Sequence, residues 1–362
     1  MGKMKVAIDC RELTREHLGS FCSTLLKTME GLSNYQLVLL SDTEIPACYV
    51  PEGAICISRG KRCNGGADLV LYQLWMKKAI YAQGAQISFQ INHFSLVPMR
   101  DVAQITVVHD LYPLEKIERI PLSYTIPYRL FLFATMVNSK KILTVSEFSK
   151  KRLEHFFWKS NKIEVNLNGV DTPLTLDSYE SPIDGPYILM LGRVCYWKRT
   201  LRVAELYDQY LSNSGYKLVI AGQGESDEVV QKIKTYTEKN PNIIWMNYVD
   251  NDVRERLMRN TSLLVYASRY DGFGLPPLEL ALRRRKVLMS DIEVLREVSQ
   301  DKGEYVDFDG PDEVIVNKIK EVLEKENPRQ IEQMYQVAKS YTWDRNIKTI
   351  CKCVQSVGER KH

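Results

Sequence analysis

The sequence predicts an α/β protein made of two domains, each a doubly wound parallel sheet with helices on its faces. Three observations carry this prediction. Short apolar runs rich in strand-forming residues alternate with amphipathic helical stretches along the whole chain. The chain has 362 residues, which is long enough for two separate hydrophobic cores. Residues 170–186 contain three prolines among mixed polar residues, so we interpret them as the linker.

The first half of the chain contains six strand-like runs, at residues 6–9, 37–40, 87–90, 105–108, 142–145 and 163–165. Helical segments such as residues 20–31 lie between several of them. Parallel strands need such crossover connections, so a parallel sheet is expected. We assign residues 1–172 to this first domain.

The second half has the more regular alternation, with strand-like runs at residues 187–192, 217–221, 243–246, 263–267, 287–290 and 305–308. Amphipathic stretches such as residues 199–210 separate most of them. We assign residues 173–344 to a second domain of the same kind. Open parallel sheets bind ligands at the carboxyl ends of their strands, which is where functional residues are expected.

Composition excludes several classes of protein. A hydrophobic fraction of 44% and a charged fraction of 26% are ordinary for a soluble globular chain. The net charge of +4 is small, so no nucleic-acid partner is predicted. The longest apolar run, residues 130–137, is far short of the ~20 residues that span a bilayer. No apolar signal segment follows Met1, which predicts a cytoplasmic protein. The eight cysteines lack paired metal-ligand spacing, so no metal site is predicted.

The most informative segment is residues 269–279, Arg-Tyr-Asp-Gly-Phe-Gly-Leu-Pro-Pro-Leu-Glu, which we call the acidic glycine loop. It follows a buried-strand pattern and carries two carboxylates, Asp271 and Glu279. Pro276 and Pro277 suit the first positions of a helix, because proline has no N–H to lose there. Loop amides and a helix N-terminus together favour an anion.

A purely structural interpretation of this loop is also open. Glycines are common at strand-to-helix turns for steric reasons, and the helix dipole favours Glu279 in a first turn without any ligand. We place the helix cap near Pro276, which has no side-chain acceptor, so Glu279 is expected to lack a local partner. That expectation favours a ligand-binding role.

The loop resembles the signature of the retaining glycosyltransferases of family 4, which place two acidic residues around a Gly-Phe-Gly-Leu-Pro core. The resemblance implies the GT-B architecture, two Rossmann-like domains facing across a cleft, and a nucleoside diphosphate sugar as donor without a cofactor. It implies that Asp271, where the family normally has glutamate, holds hydroxyls of the donor sugar and that Glu279 holds the ribose. The residues between them that are implied in donor binding are Gly272, Phe273, Gly274 and Leu275.

Two cations follow the first strand of the second half. Arg193 and Lys198 lie five residues apart, where arginine could bind a diphosphate by bidentate bonds and lysine as a point charge. Basic loop residues are often only solvated, so the pair alone is weak evidence. The family resemblance implies that both bind the diphosphate of the donor.

Weaker matches complete the implied donor site. Gly222 begins a Gly-x-Gly pair at a strand end, but the third glycine of a dinucleotide fingerprint is absent, which disfavours a dehydrogenase. Tyr248 lies in a segment that borders the base in the family, although Asn247 stands where the family has glycine. In the first half, Gly19 matches the glycine turn near the diphosphate. His109 could be an ordinary structural histidine, but the family motif implies that it approaches the donor sugar.

The resemblance extends from about residue 6 to residue 343, and it implies that a final helix, residues 345–362, crosses back to the first domain. The expected function is metal-independent retaining transfer of a hexose from a UDP- or GDP-sugar to a hydroxyl of a saccharide or lipid-linked acceptor. Cell-surface polysaccharide or glycolipid assembly is the expected setting. The alternatives are a GT-B epimerase or phosphorylase, and a degenerate binding subunit without turnover, which Asp271 and Asn247 suggest.

A membrane contact is the last expectation. Residues 120–137 are apolar and aromatic with only Arg129 charged, and a lysine-rich stretch follows them. Apolar residues beside cations could lie in the headgroup region of an anionic membrane, at the inner face of the cell membrane. The alternative is a buried helix flanked by solvated lysines.

Overall fold

The computed structural model describes residues 3–15, 21–115, 117, 120–224 and 227–358. The chain divides into two compact units, Met1–Gly169 with Thr342–His362, and Val170–Tyr341. The sequence-based boundaries were residues 172 and 344. Residues 170–186, the expected linker, form neither helix nor strand.

The first unit contains a sheet of seven parallel strands in the order β3-β2-β1-β4-β5-β6-β7. Six of them were expected from the sequence. Strand β3 was not; it is the edge strand of this sheet, and its residues alternate between half-buried and exposed. The strands are β1 (Lys5–Asp9), β2 (Gln36–Ser41), β3 (Ile55–Ser58), β4 (Ile87–Gln90), β5 (Ala103–Val108), β6 (Lys141–Thr144) and β7 (Ile163–Val165).

The helices that follow these strands are α1 (Phe21–Gly31), α2 (Gly65–Ala82), α3 (Leu122–Asn138) and α4 (Glu147–Phe156). Helices α2, α3 and α4 contribute buried side chains to cores that also contain strand residues. Burial of each large aliphatic side chain contributes about 1.5–3 kcal/mol to folding.

The second unit contains six parallel strands in the order β10-β9-β8-β11-β12-β13. Because the order changes direction between β8 and β11, these neighbouring strands form the topological switch point, where α/β sheets bind ligands. The strands are β8 (Tyr187–Leu191), β9 (Lys217–Ala221), β10 (Ile243–Asn247), β11 (Leu263–Tyr266), β12 (Val287–Ser290) and β13 (Glu304–Val306).

The helices of the second unit are α5 (Thr200–Tyr210), α6 (Asp227–Lys239), α7 (Asn251–Asn260), α8 (Leu275–Leu282), α9 (Glu293–Ser299), α10 (Asp312–Glu324) and α11 (Pro328–Ser340). A final helix, α12 (Trp343–Gly358), belongs to the first unit. It packs on α1, and the side-chain amide of Asn346 donates to the Leu167 carbonyl at 2.9 Å. The Val170 N–H donates to the Tyr341 carbonyl at 3.0 Å, so the two ends of the second unit lie side by side.

Candidate active site

The switch point of the second unit brings two loops together that are about 70 residues apart in the chain. Arg193 and Lys198 follow β8, and Asp271 follows β11. Since β8 and β11 are adjacent parallel strands, their carboxyl ends lie at the same edge of the sheet. The pocket at this edge is lined by residues of both loops, among them Gly192, Arg193, Lys198, Tyr266 and Ser268.

Lys198, which lines this pocket, forms an ion pair with Asp271. The Lys198 Nζ donates to Asp271 Oδ1 at 2.7 Å and to the Tyr266 hydroxyl at 2.9 Å. The side chains of Lys198 and Asp271 are only 18% and 17% exposed. Burial opposes the charge on Lys198, but Asp271 and Tyr266 outweigh it and hold the pKa of Lys198 above its ordinary value. Burial, with Asp271, raises the pKa of Tyr266, so this phenol stays neutral.

The second carboxylate oxygen of Asp271 is buried and has no hydrogen-bond partner among the described residues. A buried carboxylate oxygen without a donor is costly, and such atoms in native proteins need an explanation. A hydroxyl group of a bound molecule would satisfy it. Asp271 is therefore positioned to accept a hydrogen bond from a ligand while its other oxygen remains bonded to Lys198.

The acidic glycine loop turns into α8 at Gly274, and this differs from the expected cap near Pro276. Helix α8 begins at Leu275, and Gly274 occupies the N-cap with φ of +89°. A Cβ at Gly274 would lie 2.5 Å from the Leu295 side chain, so both the backbone conformation and the close approach require glycine. Pro276 and Pro277 occupy the next two positions, where their missing N–H groups cost nothing.

Phe273 anchors this loop in the protein core. Its ring is buried and packs edge-on against Tyr341, with the ring centroids 5.3 Å apart. The buried side chain fixes the backbone of Gly272 and Gly274 on either side of it. Any contact of Phe273 with a donor would therefore come from its backbone.

The carboxylate of Glu279 has a partner on another helix and not in its own first turn. Arg254 of α7 forms an ion pair with Glu279 Oε2. The Glu279 carbonyl also accepts a hydrogen bond from Arg283 at 2.6 Å. The expectation concerned local partners only, and this arginine lies on a different helix, 25 residues earlier, where no local capping rule reveals it. The Glu279 side chain is 10% exposed, so its carboxylate still reaches the surface of the site.

The loops after β8, β9 and β10 are bonded to one another at the same edge. The Gly222 N–H donates to the Asn247 carbonyl at 2.7 Å, and a Cβ at Gly222 would lie 1.7 Å from the Gly192 carbonyl oxygen. Glycine is therefore required where these two strand ends meet. Asn247 has a φ of +53°, a conformation that asparagine tolerates better than most residues, which explains how it replaces the family glycine. Arg193 and Tyr248 are exposed at this edge.

In the first unit, His109 follows β5 and is almost completely buried. Its Nε2 lies 2.9 Å from the Ile91 carbonyl, and its ring centroid lies 5.3 Å from that of His93. Burial and the neighbouring His93 lower the pKa of His109 to about 3, so the ring is neutral. Sequence reasoning missed His93, although an Asn-His pair just after a strand-like run could have indicated it. His93 has a φ of +62°, a strained conformation of the kind that clusters at functional sites.

The end of β1 carries a closed ion pair. The Arg11 guanidinium donates to Asp9 Oδ2 at 2.8 Å, and the Tyr72 hydroxyl donates to Asp9 Oδ1 at 3.1 Å. All three side chains are buried. Gly19, the other residue implied near the diphosphate, lies outside the described residues.

No group of three or more His, Cys, Asp or Glu side chains in the described part of the chain could hold a metal ion. None of the described helices has the length and apolar character needed to cross a bilayer.

Known proteins resemble this chain in sequence and in fold. Residues 173–340 match the family model described as glycosyl transferases group 1. The serotype-specific mannosyltransferase WbdA of Escherichia coli is 23% identical over 230 residues, which are 58% of this chain and 28% of that protein. The chain thus spans about a quarter of the length of this relative.

Two solved structures share the fold over nearly the whole chain. WaaG, a glycosyltransferase involved in lipopolysaccharide biosynthesis, has a TM-score of 0.76 at 13% identity, covering 95% of this chain and 98% of that one. HepE from Anabaena in complex with UDP-glucose has a TM-score of 0.76 at 12% identity, covering 98% and 100%. The predicted family resemblance and fold class are confirmed. Nearly the whole second unit, residues 173–340, thus resembles the glycosyl transferases group 1 family, and the chain has the GT-B fold.

Proposed function

We propose that this protein is a retaining glycosyltransferase that moves a hexose from a nucleoside diphosphate sugar to an acceptor hydroxyl. The observation that carries the proposal is the pocket at the switch point of the family-matched unit. Lys198 and the exposed Arg193 line it, and Lys198 is paired with Asp271, a carboxylate that has one unpartnered buried oxygen. Cations suit a diphosphate, and the free oxygen suits a sugar hydroxyl.

The chemistry at the anomeric carbon requires charge stabilisation on the leaving group. As the bond to the diphosphate oxygen breaks, negative charge grows on the diphosphate, and Arg193 and Lys198 stabilise it. The acceptor oxygen forms its bond on the same face of the sugar, and its proton passes to the leaving phosphate. Asp271 holds a sugar hydroxyl, and Glu279, held by Arg254, binds the ribose. Arg193 and Lys198 thus supply the positive charge at this step.

The relatives narrow the substrate class. WbdA is named as a mannosyltransferase, WaaG as a glycosyltransferase of lipopolysaccharide biosynthesis, and HepE was crystallised with UDP-glucose. We therefore take mannose as the first candidate hexose and a saccharide or lipid-linked precursor of a cell-surface polysaccharide as the acceptor class. The proposed place of action is the cytoplasmic face of the cell membrane.

A ligand screen with a turnover assay tests the proposal. GDP-mannose, UDP-glucose and ADP-glucose are compared by thermal unfolding, because a ligand at 100 times its Kd adds about 2.7 kcal/mol to the free energy of unfolding. Release of the nucleoside diphosphate that depends on an acceptor sugar supports a transferase. Stabilisation without any release would instead identify a binding subunit, and release that requires inorganic phosphate would identify a phosphorylase.

Two variants test the division of roles between the acids. Glu279→Gln should weaken both the sugar nucleotide and the free nucleoside diphosphate, because both contain the ribose. Asp271→Asn should weaken only the sugar nucleotide. Titration calorimetry with both ligands measures this, and equal losses for both ligands in both variants would show that the roles are divided wrongly.

A further inference from the structure

Helix α3 carries apolar residues on its solvent side as well as on its core side. Tyr128, Leu132 and Met136 are buried in the core of the first unit. On the other side lies a set that we call the α3 stripe, in which each residue is between 51% and 72% exposed: Leu122, Ile126, Leu130, Phe133 and Val137. Their spacing of three or four residues puts them on one helix face. A helix in water normally presents polar residues on that face.

The apolar surface continues onto the segment that follows helix α4. Trp158, two residues beyond the end of α4, packs edge-on against Phe133 with the ring centroids 5.7 Å apart, and it is 40% exposed. Tryptophan is enriched where proteins meet the boundary between lipid headgroups and hydrocarbon. The surface therefore joins an aliphatic row to an aromatic pair of the type found at membrane interfaces.

Cations border the stripe. Arg129 lies on the same side of α3, three residues after Ile126 and four before Phe133. Lys140 follows the helix end, and Lys159 follows Trp158. All three are exposed, and no carboxylate pairs with them among the described residues. Residues 120–138 contain no acidic side chain.

The cations around the α3 stripe indicate what kind of partner covers it. Pairing of the stripe with a second copy around a two-fold axis would bring the same cations of both copies together, which is unfavourable. An anionic lipid surface offers hydrocarbon for the stripe and phosphates for the cations. We propose that the α3 stripe, with Trp158, docks on an anionic membrane with α3 parallel to the membrane plane. None of these residues belongs to the proposed active site, so this inference stands or falls separately from the transferase function.

Vesicle flotation with the full chain tests the docking. Phosphatidylcholine vesicles are compared with vesicles that also contain phosphatidylglycerol, at low and high salt. The protein should float with the phosphatidylglycerol vesicles at low salt and be released as salt is added, because screening weakens the cation contacts. Flotation that is equal with neutral vesicles, or absent with both, would overturn the proposal.

Two sets of variants separate the contributions of the apolar stripe and of the cations to vesicle binding. Leu130→Ser with Phe133→Ser should abolish flotation. Arg129→Glu, Lys140→Glu and Lys159→Glu together should lower binding by about 100-fold or more, since each cation near an anionic surface contributes about fivefold. The control is Val314→Ser, which changes an equally exposed valine of the second unit. If both sets of variants bind the vesicles as the unchanged protein does, with unchanged melting temperatures, the proposal is wrong. It is also wrong if the protein is a dimer that Leu130→Ser with Phe133→Ser dissociates and the charge variants do not.

Discussion

The two units share one architecture but present different chemistry at their strand ends. The second unit places Lys198 and Asp271 beside each other with one carboxylate oxygen unpartnered, and Arg193 is exposed nearby. The first unit places neutral, buried imidazoles at its strand ends, with His109 against His93. Its Asp9–Arg11 pair is closed by Tyr72. One fold can therefore offer a charged edge for an anion and a neutral edge for uncharged groups, depending on a few loop residues.

The largest effect should come from breaking the charged edge at Lys198. In Lys198→Ala, transfer should fall by about 1,000-fold if this cation stabilises the leaving group as we propose. The variant should also lower the free energy of unfolding by about 2 kcal/mol, since the Asp271 charge is left buried without its partner. Steady-state rates and thermal melting measure both effects.

A double variant separates these two losses. Lys198→Ala with Asp271→Asn removes the unpaired charge, so the melting temperature should recover while activity does not. The matched control is Lys232→Ala, which removes a lysine exposed on α6. Recovery of activity in the double variant would mean that Lys198 acts only through stability.

Arg193→Ala should lower transfer by about 100-fold with little change in the melting temperature, because this side chain is exposed and contributes little to the core. The variant thus tests whether the charged edge extends beyond the buried ion pair. If kcat/KM of Arg193→Ala is near normal, Arg193 does not contact the diphosphate, and only Lys198 and the loop amides remain as its partners.

The neutral edge predicts a pH dependence that only the first unit should show. The pKa of His109 is about 3 in the folded protein against an ordinary value of 6.5. Between these values the unfolded chain binds a proton that the folded chain does not, so stability present above pH 6.5 is lost as pH falls. Because of this group, the free energy of unfolding should fall by about 1.4 kcal/mol for each pH unit between the two pKa values.

Urea unfolding at pH 7, 6 and 5 measures this dependence. His109→Gln should reduce the slope, whereas His155→Gln, which changes an exposed histidine of the same unit, should leave it unchanged. The second unit contains no histidine, so its unfolding should not vary with pH in this range. If the free energy of unfolding of His109→Gln depends on pH as strongly as that of the unchanged protein, then His93 or carboxylates cause the dependence.

The smallest expected effect is that of chelation. If cationic side chains supply the charge at the diphosphate, transfer should continue in EDTA at its original rate. Loss of activity that magnesium or manganese restores would show that the charged edge needs a metal ion. The same assay is run on Lys198→Ala. Activity that magnesium or manganese restores only in this variant would mean that the metal ion replaces the missing lysine.

The sequence allowed prediction of those parts of the site that depend on local pattern. Strands β8 and β11 are apolar runs, and the loops after them contain the glycines, prolines and charges that turns and helix starts require. The resemblance to family 4 supplied the expected roles. The ion pair of Arg254 with Glu279 could not be predicted, because it joins two helices and depends on how they pack. His93 follows a strand-like run as part of an Asn-His pair, but its contact with His109 depends on how two strand ends meet in the fold.

The order of the elements has a consequence for biosynthesis. Helix α12 covers part of the first unit, where it packs on α1, yet it is encoded after the entire second unit. During translation the second unit can fold as soon as Tyr341 has emerged, since its two ends are already side by side. The first unit is complete only after α12 has been made. Until then, the apolar face that packs against Ile350 and Val354 remains exposed. For that interval, the nascent chain exposes apolar surface of the first unit that α12 later covers.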